Sequence, residues 1–100
     1  MEYVETIALE RLRPGKAMTV RVAGKDVGLF NVEGNVYALE DACPHAGASL
    51  GSSKLRGGVV TCRGHSFAYD VATGRCVTIQ GLCAASYSVR IIEGKIMVSI

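Results

Sequence analysis

Two short segments of the chain each place one cysteine close to one histidine. The first is "CPHAGASL", from Cys43 to Leu50, and the second is "CRGH", from Cys62 to His65. Thiolate and imidazole groups are ligands for zinc, iron and iron–sulfur clusters. The only two histidines of the chain, His45 and His65, both lie within three residues of a cysteine. This pairing favours one shared metal centre over isolated buried thiols and surface imidazoles.

The distribution of ligands between the two segments bears on which metal is bound. Structural zinc sites commonly keep two cysteines in one short motif and two histidines in the other. Here each segment supplies one of each, which suits a dinuclear cluster with both thiolates on one iron and both imidazoles on the other. Neutral imidazoles also raise the potential relative to an all-cysteine cluster. We therefore expect a [2Fe–2S] cluster, with a structural zinc module as the alternative.

Short β-type segments separated by glycine turns surround both motifs. Alternating patterns predict strands at 17–22, 27–32, 36–40, 87–92 and 95–100, and shorter strands on either side of the second motif. No window of ten or more residues carries a helical period. The pattern predicts an all-β antiparallel sandwich or small barrel. Both motifs then follow strand ends and can face each other at one end of the framework.

Length, charge and composition restrict the class of protein. The 100 residues suit one domain, and the net charge of +2 comes from scattered basic residues, which argues against nucleic acid. No apolar run approaches the ~20 residues that span a bilayer, and no signal peptide is recognisable. We therefore expect a soluble, cytoplasmic protein without a disulfide framework. Outside the motifs, Cys76 and Cys83 are interpreted as structural thiols.

The two motifs resemble those of Rieske [2Fe–2S] proteins. "CPHAGASL" and "CRGHSFAYDVATG" are similar to the two cluster-binding motifs, and "VGLFNVEGNVYALEDACPHAGASL" and "YSVRIIEGKIMV" extend the likeness over nearly the whole chain. The similarity is greatest to the small Rieske ferredoxins of bacterial aromatic-ring oxygenases. It implies a single domain, residues 1–100, with three small antiparallel sheets and the cluster at one tip. It also implies four ligands, with the cysteines on one iron and the histidines on the other: Cys43, Cys62, His45 and His65.

Several positions distinguish the chain from the Rieske proteins of respiratory complexes. Those proteins carry a further cysteine in each motif and a serine after the second, where this chain has Ala48, Gly64 and Phe67. Without that serine hydroxyl, the potential is expected near the low end of the Rieske range of roughly −150 to +300 mV. Tyr69 matches a tyrosine of the respiratory proteins, and the sequence leaves the partner of its hydroxyl open. The loop after the second motif lacks proline, and we expect Gly81 to supply its bend.

By this resemblance the chain is an electron carrier and not an enzyme. The implied donor is an NAD(P)H-dependent flavoprotein reductase. The implied acceptor is a terminal ring-hydroxylating dioxygenase or the diiron centre of a multicomponent monooxygenase, with no nucleic-acid or membrane partner. The basic residues Lys54, Arg56 and Arg63 are interpreted as a docking rim for an acidic partner, or as ordinary solvated charges. The alternative function is the small subunit of an assimilatory nitrite reductase.

Overall fold

The computed structural model describes residues 2–42, 49–62 and 67–99. Within these ranges the regular structure consists of antiparallel strands and one 3-10 helix, Leu9–Arg11. The strands in chain order are β1 (Tyr3–Ala8), β2 (Ala17–Val22), β3 (Lys25–Val32), β4 (Asn35–Glu40), β5 (Lys54–Arg56), β6 (Val59–Thr61), β7 (Ala68–Asp70), β8 (Ser86–Ile92) and β9 (Lys95–Ser99).

The strands form a large sheet in the order β1-β9-β8-β4-β3-β2 and a small sheet in the order β5-β6-β7. The large sheet combines two groups of three strands. They are joined where Ala38 and Leu39 of β4 pair with Tyr87 and Ser86 at the start of β8. The edge strands β1 and β2 approach each other, so the large sheet is nearly closed. These three strand groups confirm the expected all-β, Rieske-type architecture.

Three of the hairpins turn through a pair of residues that ends in glycine. At each turn both residues have a positive φ, with values of 51° and 82°, 53° and 96°, and 50° and 76°. Such turns match the right-handed twist of the flanking strands, and glycine adopts the second position without steric cost. The pairs are Ala23-Gly24, Glu33-Gly34 and Glu93-Gly94. This turn chemistry explains why the strands predicted at 17–22, 27–32, 36–40 and 87–92 are found within two residues of their expected bounds.

The buried apolar residues form two clusters. One lies within the large sheet and includes Val27, Leu29 and Ile96. The other lies where the small sheet packs against the large one, and it includes Leu50 and Cys62 together with Phe30, Leu39, Val60, Tyr69, Val71, Cys76 and Ala84. The second cluster therefore underlies both segments in which the cysteine–histidine pairs occur. No helix among the described residues is long and apolar enough to cross a membrane.

Candidate metal centre

Cys62, the first residue of the second motif, directly follows β6 in the hairpin that β6 forms with β7. Val60 pairs with Tyr69 and Thr61 with Ala68. One step further, the backbone N–H of Cys62 donates a hydrogen bond of 2.8 Å to the carbonyl oxygen of Phe67. Backbone hydrogen bonds thus bring together the two ends of the segment 63–66. Cys62 is only 2% exposed, so its thiol lies at the boundary between this end of the hairpin and the core.

The segment after β7 runs along the outer edge of that strand. The N–H of Val77 donates to the carbonyl oxygen of Ala68 at 2.8 Å, and the N–H of Ala68 donates to Oγ1 of Thr78 at 3.0 Å. Gly81 then turns the chain with a φ of 93°, as expected for this proline-free loop. The segment is therefore hydrogen-bonded to β7, the strand that follows the second motif in the chain.

The two cysteines of this segment differ in environment. Cys76 is 3% exposed and belongs to the core cluster beneath the motifs, in agreement with its interpretation as a structural thiol. Cys83 is exposed, and its backbone pairs with that of Arg75. Neither residue forms a disulfide. Cys76 therefore lies where a structural thiol is expected, and the interpretation of Cys83 as a structural thiol stays a prediction.

The first motif begins just after β4, and its base is organised by Asp41. One carboxylate oxygen of Asp41, Oδ2, accepts hydrogen bonds from the hydroxyls of Thr19 at 3.0 Å and Ser49 at 2.8 Å. The other oxygen, Oδ1, accepts the backbone N–H of Gly51 at 2.5 Å. Asp41 precedes the segment 43–48, whereas Ser49 and Gly51 follow it. One carboxylate thus joins both sides of this segment, a role that the sequence analysis missed.

The chain that leaves the first motif makes a compact turn into the core. The hydroxyl of Ser53 donates to the carbonyl oxygen of Ser49 at 2.8 Å, and the N–H of Ser53 donates to the carbonyl oxygen of Leu50 at 3.1 Å. Leu50 is fully buried in the cluster that also contains Cys62. The two motifs therefore extend from the same hydrophobic core.

Of the four predicted ligands, Cys62 is the one that falls among the described residues. Cys43, His45 and His65 lie outside them, as do Ala48 and Gly64, the positions of the cysteines in respiratory relatives. Within 2–42, 49–62 and 67–99, no three histidine, cysteine or acidic side chains are grouped to hold a metal ion. The described part still fits the expected cluster, because a buried thiol at a strand end is a suitable donor for iron.

The surroundings of the two motifs differ in charge. Beside the first motif, a surface cleft is lined by Lys25, Asp26, Glu40, Asp41, Ala42 and Tyr87. Partial burial and, to a smaller extent, the Glu40 carboxylate raise the pKa of Tyr87 above its ordinary value. Beside the second motif, β5 carries the exposed Lys54 and Arg56, and Lys54 pairs with Thr61 next to Cys62. Three carboxylates and one lysine therefore lie beside the first motif, and two basic side chains lie beside the second.

Comparison with known proteins assigns the chain to a domain type and to a group of relatives. Residues 2–89 match the Rieske [2Fe–2S] domain. The ferredoxin component of the naphthalene 1,2-dioxygenase system of Pseudomonas putida is 30% identical over 106 aligned positions, which cover 100% of this chain and 97% of that protein. The match thus extends over both proteins from end to end.

Solved structures of Rieske ferredoxins superpose closely on this fold. The ferredoxin of carbazole 1,9a-dioxygenase from Nocardioides aromaticivorans IC177 has a TM-score of 0.92 at 26% identity, over 99% of this chain and 98% of that one. A chain in a complex of reduced oxygenase and oxidised ferredoxin of carbazole 1,9a-dioxygenase has a TM-score of 0.86 at 29% identity, over 97% and 92%.

A third structure comes from a different enzyme system. A protein from Mycobacterium tuberculosis assigned as the small subunit of an NADH-dependent nitrite reductase has a TM-score of 0.87 at 27% identity. The alignment covers 97% of this chain and 93% of that one. Both expected classes of relative are therefore represented among similar folds.

Proposed function

Because this chain belongs to the Rieske [2Fe–2S] domain family, we propose that it carries single electrons to a terminal oxygenase through a Rieske-type cluster. The observation that carries the proposal is the end-to-end similarity to a ferredoxin component of a dioxygenase system, at 30% identity. Such a component is an electron-transfer subunit rather than the catalytic one. The bound cluster supplies reversible storage of one electron, and the protein supplies its ligands and its docking surface.

We assign the ligands as the sequence predicts, with Cys43 and Cys62 on one iron and His45 and His65 on the other. Supporting this assignment, Cys62 lies at the tip of the β6–β7 hairpin, and the chain leaving the first motif enters the same core through Leu50. Burial of Cys62 keeps water from its sulfur, which protects a metal–thiolate bond from hydrolysis and exchange.

Residues 1–100 are proposed to form one Rieske domain. The matched residues end at 89, but β9 (Lys95–Ser99) pairs with both β1 and β8 in the large sheet. Ile96 and Val98 of this strand are fully buried in the core of the large sheet. The last strand is therefore an integral part of the same sheet and not a separate unit.

The acceptor is proposed to be a terminal oxygenase and the donor an NAD(P)H-dependent flavoprotein reductase. A similar ferredoxin has been solved in complex with its oxygenase, which supports the acceptor. Lys54 and Arg56 are exposed on the strand next to Cys62, and Arg63 follows Cys62 in the chain. Positive charges beside an electron-transfer site favour association with an acidic partner surface, in a way that salt weakens.

A reducing compartment, the bacterial cytoplasm, is the proposed location. Cys76 and Cys83 both remain thiols, and Cys83 is exposed to solvent. Exposed thiols of this kind are stable in the cytoplasm, whereas oxidising compartments favour their conversion to disulfides. An NAD(P)H-dependent donor would also be found there.

Reconstitution of electron transfer tests the proposed carrier role. Purified reductase and terminal oxygenase are assayed for aromatic hydroxylation with and without this protein, with the cluster-free Cys62→Ala variant as the matched control. We expect product only with the wild-type protein, and a one-electron potential near the low end of the range from roughly −150 to +300 mV. Steady hydroxylation without this protein, or with the variant, would refute the carrier role.

A nitrite reductase small subunit is the second candidate, favoured by one similar structure at 27% identity. In that role the protein would be a stable component of an enzyme complex rather than a transient electron donor. Affinity purification from native extract separates the two functions. Retention of a large sirohaem subunit through high-salt washing would favour nitrite reductase, and its absence favours the carrier.

A further inference from the structure

A single carboxylate links the residues that precede and follow the segment 43–48. Asp41 stands two residues before Cys43, and Ser49 and Gly51 stand just after the segment 43–48. The Ser49 hydroxyl donates to Oδ2 of Asp41 at 2.8 Å, and the Gly51 N–H donates to Oδ1 at 2.5 Å. Both carboxylate oxygens therefore accept hydrogen bonds from the far side of the segment.

The same carboxylate is anchored to the large sheet. The hydroxyl of Thr19, on β2, donates to Oδ2 at 3.0 Å and lies 3.3 Å from the hydroxyl of Ser49. The backbone N–H of Asp41 donates to the carbonyl oxygen of Asp26, on β3, at 3.1 Å. The base of the first motif is thus attached to two strands that precede it in the chain.

On the sides that face Gly51 and Gly28, this carboxylate lies close to the backbone. A Cβ atom added to Gly51 would lie 2.9 Å from Oδ1 of Asp41 and 2.9 Å from the carbonyl oxygen of Met18, and it would also overlap Oγ1 of Thr19. A Cβ added to Gly28 would lie 3.3 Å from the same Oδ1. Glycine at these two positions therefore lets the backbone approach the carboxylate closely.

We propose that Asp41 is a positioning residue for the iron–sulfur cluster, because it joins the described residues on either side of the segment with Cys43 and His45 before iron binds. This inference rests on the ligand assignment proposed above. A loop whose ends are already joined loses less conformational freedom when its side chains bind metal. Mutation of residues that orient metal ligands without binding the metal typically lowers metal affinity by about 10- to 100-fold.

Removal of the carboxylate tests the proposal. Holoprotein carrying Asp41→Ala is mixed with an iron chelator at neutral pH, and loss of the visible cluster absorption is followed over time. We expect iron release roughly 10- to 100-fold faster than from wild-type protein. The electron paramagnetic resonance lines of the reduced variant should also broaden, since the ligands occupy a wider range of positions.

Two control variants separate positioning from general stability and from charge. Asn31 is buried at 3% exposure, and its amide group donates to the carbonyl oxygen of Leu12 at 2.7 Å and accepts the N–H of Gly34 at 2.8 Å. It lies on β3 five residues from Asp26, or about 17 Å along the strand. Asn31→Ala should lower the unfolding temperature without accelerating iron release. Asp26→Asn also removes one negative charge near the motif, as Asp41→Ala does, and it should leave the rate of iron release unchanged.

Each outcome has a defined meaning. Faster release from Asp41→Ala than from an Asn31→Ala protein of equal or lower unfolding temperature supports the proposal, and equal rates overturn it. If Asp41→Ala does not fold, Thr19→Val and Ser49→Ala each remove one donor and should show smaller accelerations. Wild-type rates in both would overturn the proposal. A wild-type protein that binds zinc and no iron–sulfur cluster would instead refute the proposed function.

Discussion

The residues that flank the two proposed cluster-binding segments are joined by different kinds of interaction. On either side of the segment 63–66, the chain is joined by the backbone pairing of β6 with β7 and by the hydrogen bond from Cys62 N–H to Phe67 O. The segment 43–48 is flanked instead by side chains that converge on the carboxylate of Asp41. The second motif therefore depends on strand pairing, which many sequences can form, whereas the first depends on particular residues.

Because of this difference, single substitutions should affect the stability of the two motifs unequally. Around the second motif, most substitutions that preserve the strands leave the backbone hydrogen bonds intact. Around the first motif, loss of the Asp41 carboxylate leaves three donors without their acceptor. The first motif should thus be the more sensitive of the two to changes outside the ligands.

The largest effect is expected from the replacement of Cys62, a proposed iron ligand in the second motif. Cys62→Ala should abolish the [2Fe–2S] absorption and strongly destabilise the protein, because cluster binding and folding are coupled. Iron and labile sulfide per chain provide the measurement. Cys76→Ala is the matched control, since Cys76 lies in the same core cluster. It should retain iron and lose on the order of 1 kcal/mol of stability. Full iron content in Cys62→Ala would contradict the ligand assignment.

A smaller but clear effect is expected at the base of the first motif. Gly51→Ala introduces a Cβ that has no room beside Asp41, Thr19 and the carbonyl oxygen of Met18. Overpacking of this kind typically costs about 1–3 kcal/mol. Chemical denaturation should therefore show a lower free energy of unfolding together with faster iron loss. The neighbouring, exposed Ser52→Ala should change neither by much. An unaltered Gly51→Ala protein would show that the base of this motif adapts easily.

Next in size is the effect of the buried tyrosine beside the second motif. Tyr69 is fully buried on β7, opposite Val60 and in the same cluster as Cys62. Tyr69→Phe removes a buried hydroxyl and should cost about 1 kcal/mol of stability. We also expect the reduction potential to fall by some tens of millivolts. This is the shift expected if the Tyr69 hydroxyl donates one hydrogen bond to a cluster sulfur. Tyr37→Phe, in a half-buried tyrosine against the same core, is the control. A potential unchanged by Tyr69→Phe would place the partner of the hydroxyl elsewhere.

The smallest effect is electrostatic and lies beside the first motif. Burial and the Glu40 carboxylate raise the pKa of Tyr87, so this phenol stabilises the fold below its ordinary pKa of 10.0, and the contribution is lost as pH rises through the higher folded value. Glu40→Gln should lower the pKa of Tyr87 only in part, since burial is the larger cause. Ultraviolet titration of tyrosinate, compared with Tyr87→Phe, measures the shift. A pKa that does not fall would exclude an effect of Glu40.

The sequence predicted the hairpins because each joins alternating strands through a glycine-containing turn. It did not predict β1 or β5. β5 is the three-residue strand Lys54–Arg56, too short to show alternation, and it is stabilised by pairing with β6. Elements that depend on tertiary pairing were thus the ones missed.

The candidate site shows the same division. Four ligands could be proposed from residue types and spacing, because a metal requires particular donor atoms close together in each motif. The role of Asp41 could not be predicted from the sequence. Thr19 lies 22 residues away and reaches Asp41 through the pairing of β2, β3 and β4. In the sequence, Asp41 is one more acidic residue beside Glu40, and no spacing rule connects it with Ser49 or Gly51.

Pulsed electron paramagnetic resonance of the reduced protein is the decisive measurement for the proposed cluster and its ligands. We predict a rhombic signal from a [2Fe–2S] cluster with couplings to two imidazole nitrogens. Selective labelling of His45 and His65 with nitrogen-15, the only histidines in the chain, should change both couplings. A signal without nitrogen coupling would indicate an all-cysteine cluster. A colourless protein with no signal would indicate zinc, and either result would contradict a Rieske electron carrier.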